Sequence, residues 1–184
     1  MSESVGFMKL IVRFTDEAPM GSESLWARPR AAGDDDVEYL LHNVSMFCGL
    51  APDDVVSATL NGNSQLQITH VRSVANRCVA ALQLGGAGGS GLRGSRHIAP
   101  SREVTEHASV AFARRLEAQG AHVEGPPGAL TTSWPLSMGA DQVRQRIAQA
   151  MAGHDGWTVT GVWSAAERAD GFQELIDPAV VPPA

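Results

Sequence analysis

Apolar and polar residues alternate over Phe7–Phe14, with Leu10, Val12 and Phe14 on one face and Lys9, Ile11 and Arg13 on the other. That two-residue period is the signature of a strand. Ser24–Ala27 reads as a short second strand anchored on Trp26. Pro29 ends it or places it at a sheet edge, because proline has no N–H to give a ladder. Val37–His42 returns as a third strand, and Asn43 stands where the chain must bend away. Apolar Met46, Phe47, Cys48 and Leu50 are expected to plug the end of the sheet. Val55–Leu60 and Gln65–Val74 read as a hairpin about Asn61-Gly62, with Leu66, Ile68 and His70 on one face. Arg77–Leu84 places Cys78, Ala80, Leu82 and Leu84 on one side. The first 84 residues are thus nearly all β, and strands joined in order predict a small curled sheet or barrel.

The period then changes from two to that of a helix. Ser101 can cap a helix to about Gln119, stopped by Gly120, with Val104, Ala108, Ala111, Phe112 and Leu116 as its apolar stripe. Ala121–Glu124 is a short strand, turned at Gly125–Gly128 into another that carries Leu130, Thr132 and Trp134 on one face. Ser137 can cap a second helix with Val143, Ile147, Ala150 and Met151 inward. Trp157–Trp163 is the last strand, with Trp157, Val159 and Trp163 on one side. Strand, helix, hairpin, helix and strand in that order predict a split β-α-β, ferredoxin-like arrangement. The expected fold class is therefore α+β, with a flexible N-terminus over 1–6, a β-rich lobe over 7–75 and an α/β lobe over 76–165. Residues 166–184 read as a mobile acidic tail with one helical turn near Phe172. Trp26, Phe47, Phe112, Trp134 and Trp157 are expected to build a shared core.

Composition changes little in that picture. Hydrophobic content of 43% with 18% charge is that of a folded globular chain. No apolar run is long enough to span a membrane, and an acid precedes the first apolar stretch, so a cytoplasmic location is expected. Charge distribution says more than the net −6. Residues 1–54 hold ten acids and four bases, residues 55–102 five arginines and no acid, and residues 103–184 ten acids and five bases. A basic middle between acidic flanks predicts either mutual neutralisation within the fold or an anion-binding surface. That middle contains no aromatic residue, which argues against nucleic acid.

Candidate chemistry is sparse. Gly85–Gly94 holds a G-x-G-x-x-G at Gly86, Gly88 and Gly91, but the helix that should follow at once waits until after Pro100. Lys9 is the sole lysine, so there is no P-loop. Residues 85–98 read as a flexible connector, with Arg93 and Arg96 as candidate contacts for an anionic small molecule. Gly33-Asp34-Asp35-Asp36 lacks the spaced acids of a calcium loop and reads as a solvated turn. His42, Cys48, His70 and Cys78 could pair as nucleophile and base or as zinc ligands, although inert core thiols account for both cysteines. His97 and His107, with Glu103 and Glu106, do not have the H-E-x-x-H spacing. No metal and no cofactor are expected.

Ser22–Ala27 (S-E-S-L-W-A), Leu41–Asn43 (L-x-N), Met46-Phe47 and Gly49–Val56 (G-L-x-x-x-D-V-V) resemble a bacterial family catalogued as a domain of unknown function. The resemblance covers about residues 7–165 and implies a β region followed by helix, strand, helix and a tryptophan-bearing strand. It departs from the family at Ser45, where a proline is usual, and at 74–78, where a polar turn precedes the arginine. No role comes with it. The chain is expected to be a non-enzymatic interaction module, an inhibitor, immunity-like protein or accessory factor that binds a charged protein partner. The alternative is a small enzyme or anionic-ligand domain using the Cys/His set or the arginine-bearing loop, so catalysis is left open. Candidate binding residues are Arg72, Arg77, Arg93, Arg96, Arg102, His42, Asn43 and His70.

Overall fold

The computed structural model describes residues 6–14, 21–31, 37–85, 101–154 and 156–175. The fold is α+β, and the chain divides into two units, residues 1–76 with 165–184, and residues 77–164. In the first, strands β1 (Met8–Arg13), β2 (Ser22–Ala31), β3 (Val37–Leu41), β4 (Val55–Leu60) and β5 (Leu66–Ser73) pair antiparallel in chain order. The curled sheet closes where β1 meets β5 in parallel at Ile11 and Gln67. Alternation does the work: Leu10, Val12, Leu25, Ala27, Tyr39, Leu41, Val56 and Ile68 point inward and form the core, with Cys48 and Leu50 from the loop after β3. Each such aliphatic side chain contributes about 1.5–3 kcal/mol by leaving water.

Pro29 does not end β2, which runs ten residues and pairs Pro29 with Tyr39 of β3. Trp26 turns its backbone N–H and C=O toward β3, so by alternation Pro29 turns toward β1. There it lies past Met8, the first residue of β1, and the N–H it lacks has no ladder to serve. Asn61 and Gly62 do join β4 to β5, but the left-handed residue is Ser64 (φ 56°) and not Gly62. Asn61 Oδ1 accepts from the amides of Asn63 and Gln65 at 2.9 and 3.0 Å and shapes the loop itself. Leu66, Ile68 and His70 do not share a face. The register of β5 passes over Thr69, setting Ile68 against Ala58 and His70 against Ser57. That bulge turns His70 out and brings Val71 onto the core.

The second unit comprises β6 (Val79–Leu84), α1 (Arg102–Ala118), β7 (His122–Glu124), β8 (Ala129–Ser133), α2 (Ala140–Met151) and β9 (Trp157–Trp163). Its sheet order is β7-β8-β6-β9 with every neighbour antiparallel, the ferredoxin-like arrangement. Cys78, Ala80, Leu82, Phe112, Leu116, Leu130, Trp134, Val143, Ile147, Ala150 and Trp157 make its core. Ser101 caps α1 as expected, its hydroxyl accepting from the Val104 amide at 3.3 Å. The buried stripe, however, is Ser109, Phe112 and Leu116, while Val104 and Ala111 are exposed. Gly139 rather than Ser137 precedes α2. In β9 the register passes over Thr160, so Val162 reaches the core and Trp163 is 37% exposed.

Two expectations about the core are corrected. There are two core clusters, not one, and Trp26 belongs to neither, being 49% exposed on an outward position of β2. Residues Ala165–Leu175, expected within an acidic tail, form helix α3. The reason lies in Arg168, whose side chain is 1% exposed and ion-paired to the wholly buried Asp54 at 2.7 Å.

Candidate functional site

On β1 and β2 the residues that alternate with the core face outward, and they are mostly cations and aromatics. Phe7 stands just before β1, from which come Lys9, Ile11 and Arg13, and from β2 come Ser24, Trp26, Arg28 and Arg30. Lys9 pairs in register with Trp26 and holds its ammonium 5.8 Å from the indole centroid. Arg28 lies over the Phe7 ring at 4.2 Å. Phe7 and Trp26 are each 49% exposed, an unusual placement for two large aromatics on one face. Lys9, Arg13, Arg28 and Arg30 are all exposed, and none makes an ion pair with a carboxylate among the described residues. They are the four bases of the first 54 residues, gathered on one outer face of a segment whose sequence balance is acidic. Cation–π contact orients Lys9 and Arg28 but leaves their charges unneutralised.

The third strand sets Leu40 in register with Arg28 and Glu38 with Arg30, and the residues after it close the end of this face. His42 donates its backbone N–H to the Trp26 carbonyl at 2.8 Å, and the Trp26 N–H is taken by Asn43 Oδ1 at 2.7 Å. Asn43 therefore extends the ladder by one bond through its side chain where the backbone turns away. The His42 ring meets Phe7 edge to face at 4.6 Å, and its Nε2 is shut off from water with no hydrogen-bond partner among the described residues.

The loop after β3 is held from inside. Ser45 is fully buried, and its hydroxyl donates to Glu23 Oε2 at 2.5 Å while accepting from the Cys48 amide at 3.0 Å. Glu23 Oε1 accepts from the Met46 amide at 2.9 Å. Ser45 is thus the hub of the turn. Burial pushes the Cys48 thiol up to about 12, against the hydrogen bonds from Ser45 and Leu50. A thiol so raised is protonated and inert at neutral pH. Asp54 accepts from the amides of Ala51 and Ala75, both at 2.7 Å, as well as from Arg168. Arg168 also donates to the carbonyls of Gly49 at 2.9 Å and Ala75 at 2.7 Å. Burial pushes the Asp54 carboxyl upward and the Arg168 guanidinium pulls it back. This is a clamp on three backbone segments, with no open side for a substrate.

The residues singled out from sequence do not converge. His42 and Asn43 flank the cationic face, in supporting positions. His70 is exposed on β5, and Arg72, two residues on, donates to Ser57 Oγ. Arg77 donates to the Trp134 carbonyl at 3.4 Å within the second unit, and Arg102 pairs with Glu106 at the start of α1 at 2.7 Å. Arg93 and Arg96 lie outside the described residues. Cys48 and Cys78 are free and buried, each in its own core, and among the described residues no three His, Cys, Asp or Glu side chains gather to hold a metal ion. Lys9, Arg13, Arg28 and Arg30 were hidden by counting charge along the chain. The usable signal was the two-residue period, which puts Trp26, Arg28 and Arg30 on one side of a strand and Lys9 and Arg13 on one side of its neighbour.

No family model matches the chain, and no curated protein matches it. Among solved structures it is similar to a hypothetical protein from Neisseria gonorrhoeae, with a TM-score of 0.46 and 11% identity over 90% of this chain and 96% of that one. A likeness at that score and identity carries no role.

Proposed function

We propose that the protein is a non-enzymatic interaction module that docks a negatively charged protein partner on the outer face of β1 and β2. One observation carries this: Lys9, Arg13, Arg28 and Arg30 converge there beside exposed Trp26 and Phe7, with Glu38 of β3 in register with Arg30 and none of the four in an ion pair among the described residues. Aromatic and arginine residues at the centre of a patch are the composition of interaction hot spots. Unneutralised cations steer an acidic partner and fix its orientation. A cytoplasmic setting is part of the proposal, supported by two free buried thiols. No described helix is long and apolar enough to cross a membrane.

Capture from the native cell with the wild type and with Lys9→Glu/Arg28→Glu tests it. An acidic protein held at low salt, released at moderate salt and absent from the double variant is the expected result. Arg114→Glu, on the exposed side of α1, should retain it. Equal capture by all three proteins would place docking elsewhere.

A further inference from the structure

The same face carries information about the shape of what binds. The β1–β2 register sets Lys9 beside Trp26 and Arg13 beside Ser22, and the ring contact sets Phe7 beside Arg28. Arg28 is therefore one same-face step along the strands from Lys9, and Arg30 one step further, while Arg13 is two steps the other way. Residues on one face of a strand repeat about every 6.6 Å. Arg30, Arg28 and Lys9 thus form a row of cations at that spacing, with Glu38 of β3 in register beside Arg30 at its end, followed by a gap of twice the length before Arg13. An extended chain presents its own alternate side chains at the same interval. Trp26 and Phe7 stand up from the sheet beside the row, at the levels of Lys9 and Arg28. An extended segment takes up about 5 Å of width and fits along the row, whereas a helix is about 10–12 Å across and would ride on the exposed rings. The ring faces toward Lys9 and Arg28 are already taken by cations, which leaves fewer free π-surfaces for nucleobases to stack on.

The geometry points to an extended acidic peptide as the ligand, lying along β1 and β2 with carboxylates at every second residue opposite Lys9, Arg28 and Arg30. The inference rests on the docking function proposed above and adds the register of the partner's charges. Residues between the carboxylates, pointing the other way, are left free to be recognised by nothing, so charge spacing rather than sequence sets the preference.

The test uses the full chain and two peptides of equal length and charge, one of alternating Asp-Ser and one of blocked Asp-Asp-Ser-Ser, read by quenching of Trp26 with Trp26→Phe as the blank. The alternating peptide should bind at least about fivefold more tightly, the factor that one well-placed surface ion pair supplies. Arg28→Gln should remove most of that preference, Arg30→Gln, beside Glu38, and Arg13→Gln less of it, and Arg114→Gln none. Equal affinity for the two peptides would overturn the register inference while leaving an acid-binding face in place. Binding of neither peptide would remove the docking function itself. Tighter binding of oligothymidylate than of either peptide would replace both with a single-stranded nucleic acid.

Discussion

At the scale of single residues, position on a strand decides what a side chain is for, and Trp26 is the clearest case. As an anchor of the core it should cost about 3–5 kcal/mol on truncation to alanine, as a buried aromatic does. On the outer face of β2, half exposed, Trp26→Ala should shift the urea midpoint by the equivalent of under about 1 kcal/mol and weaken partner binding instead. Denaturation and binding measured on the one variant separate the two roles. Cys48 makes the opposite point, since its chemistry is removed by burial. A folded thiol raised to about 12 from 9.0 keeps its proton where the unfolded chain gives it up. The unfolded state then binds fewer protons, so the thiol's contribution is intact below about pH 9 and is lost progressively as pH rises toward 12. Cys48→Ala lacks that term. The stability gap between wild type and Cys48→Ala should accordingly shrink by up to ~1.4 kcal/mol per pH unit above about pH 9, read from urea midpoints at several alkaline pH values. A gap that stays constant would mean the thiol ionises as freely folded as unfolded.

At the scale of elements, α3 shows both how far the sequence could be read and where reading stops. Its eleven residues have no continuous apolar stripe and lie in an acidic stretch, so local pattern gives no reason for them to be ordered. What orders them is Arg168 reaching Asp54, more than a hundred residues earlier, and the Gly49 and Ala75 carbonyls. Such a contact has no periodicity to betray it. Arg168→Leu should cost about 3–5 kcal/mol, because it strands the Asp54 carboxylate without its counter-charge. Adding Asp54→Asn to that variant should recover part of the loss, and no recovery would mean that Arg168 acts through packing alone. Elsewhere the elements were legible wherever period and punctuation agreed: the meander through Leu60, the Ser101 cap, and the strand–helix–hairpin–helix–strand order of the second unit. They became illegible at single inserted residues. Thr69 and Thr160 each shift a register by one, and a one-residue shift moves every later side chain to the other face. His70 and Trp163 were misplaced for that reason alone. Gly125 is a further fixed point, with φ 133° and the Ala129 carbonyl oxygen 2.1 Å from where a Cβ would stand. Gly125→Ala should lower the melting temperature markedly, whereas Gly139→Ala, with open space around it, should not.

At the scale of the whole molecule, a net charge of −6 coexists with a face that is locally positive, and the two act on an acidic partner in opposite directions. Far away, the partner meets the repulsion of the summed charge. Within about 10 Å, the Debye length at 0.1 M salt, it meets Lys9, Arg13, Arg28 and Arg30, with Glu38 beside Arg30 as the offsetting acid. Approach from other directions is disfavoured, so the repulsion selects for the one productive orientation even as it slows encounter in general. Salt weakens both fields, but the nearby cations act at contact and are screened least once water is displaced around Trp26 and Phe7. The association rate should therefore change little between about 20 and 100 mM salt, where lost repulsion offsets lost attraction, and fall at higher salt as the local attraction is screened. Reversing Lys9 and Arg28 to Glu removes the attraction and leaves the repulsion. For that variant the residual association rate should rise with salt across the whole range. Stopped-flow mixing of each protein with a labelled acidic peptide reads both slopes, and a steep fall with salt in the variant as well as the wild type would show that the acids of the partner are met by some other surface.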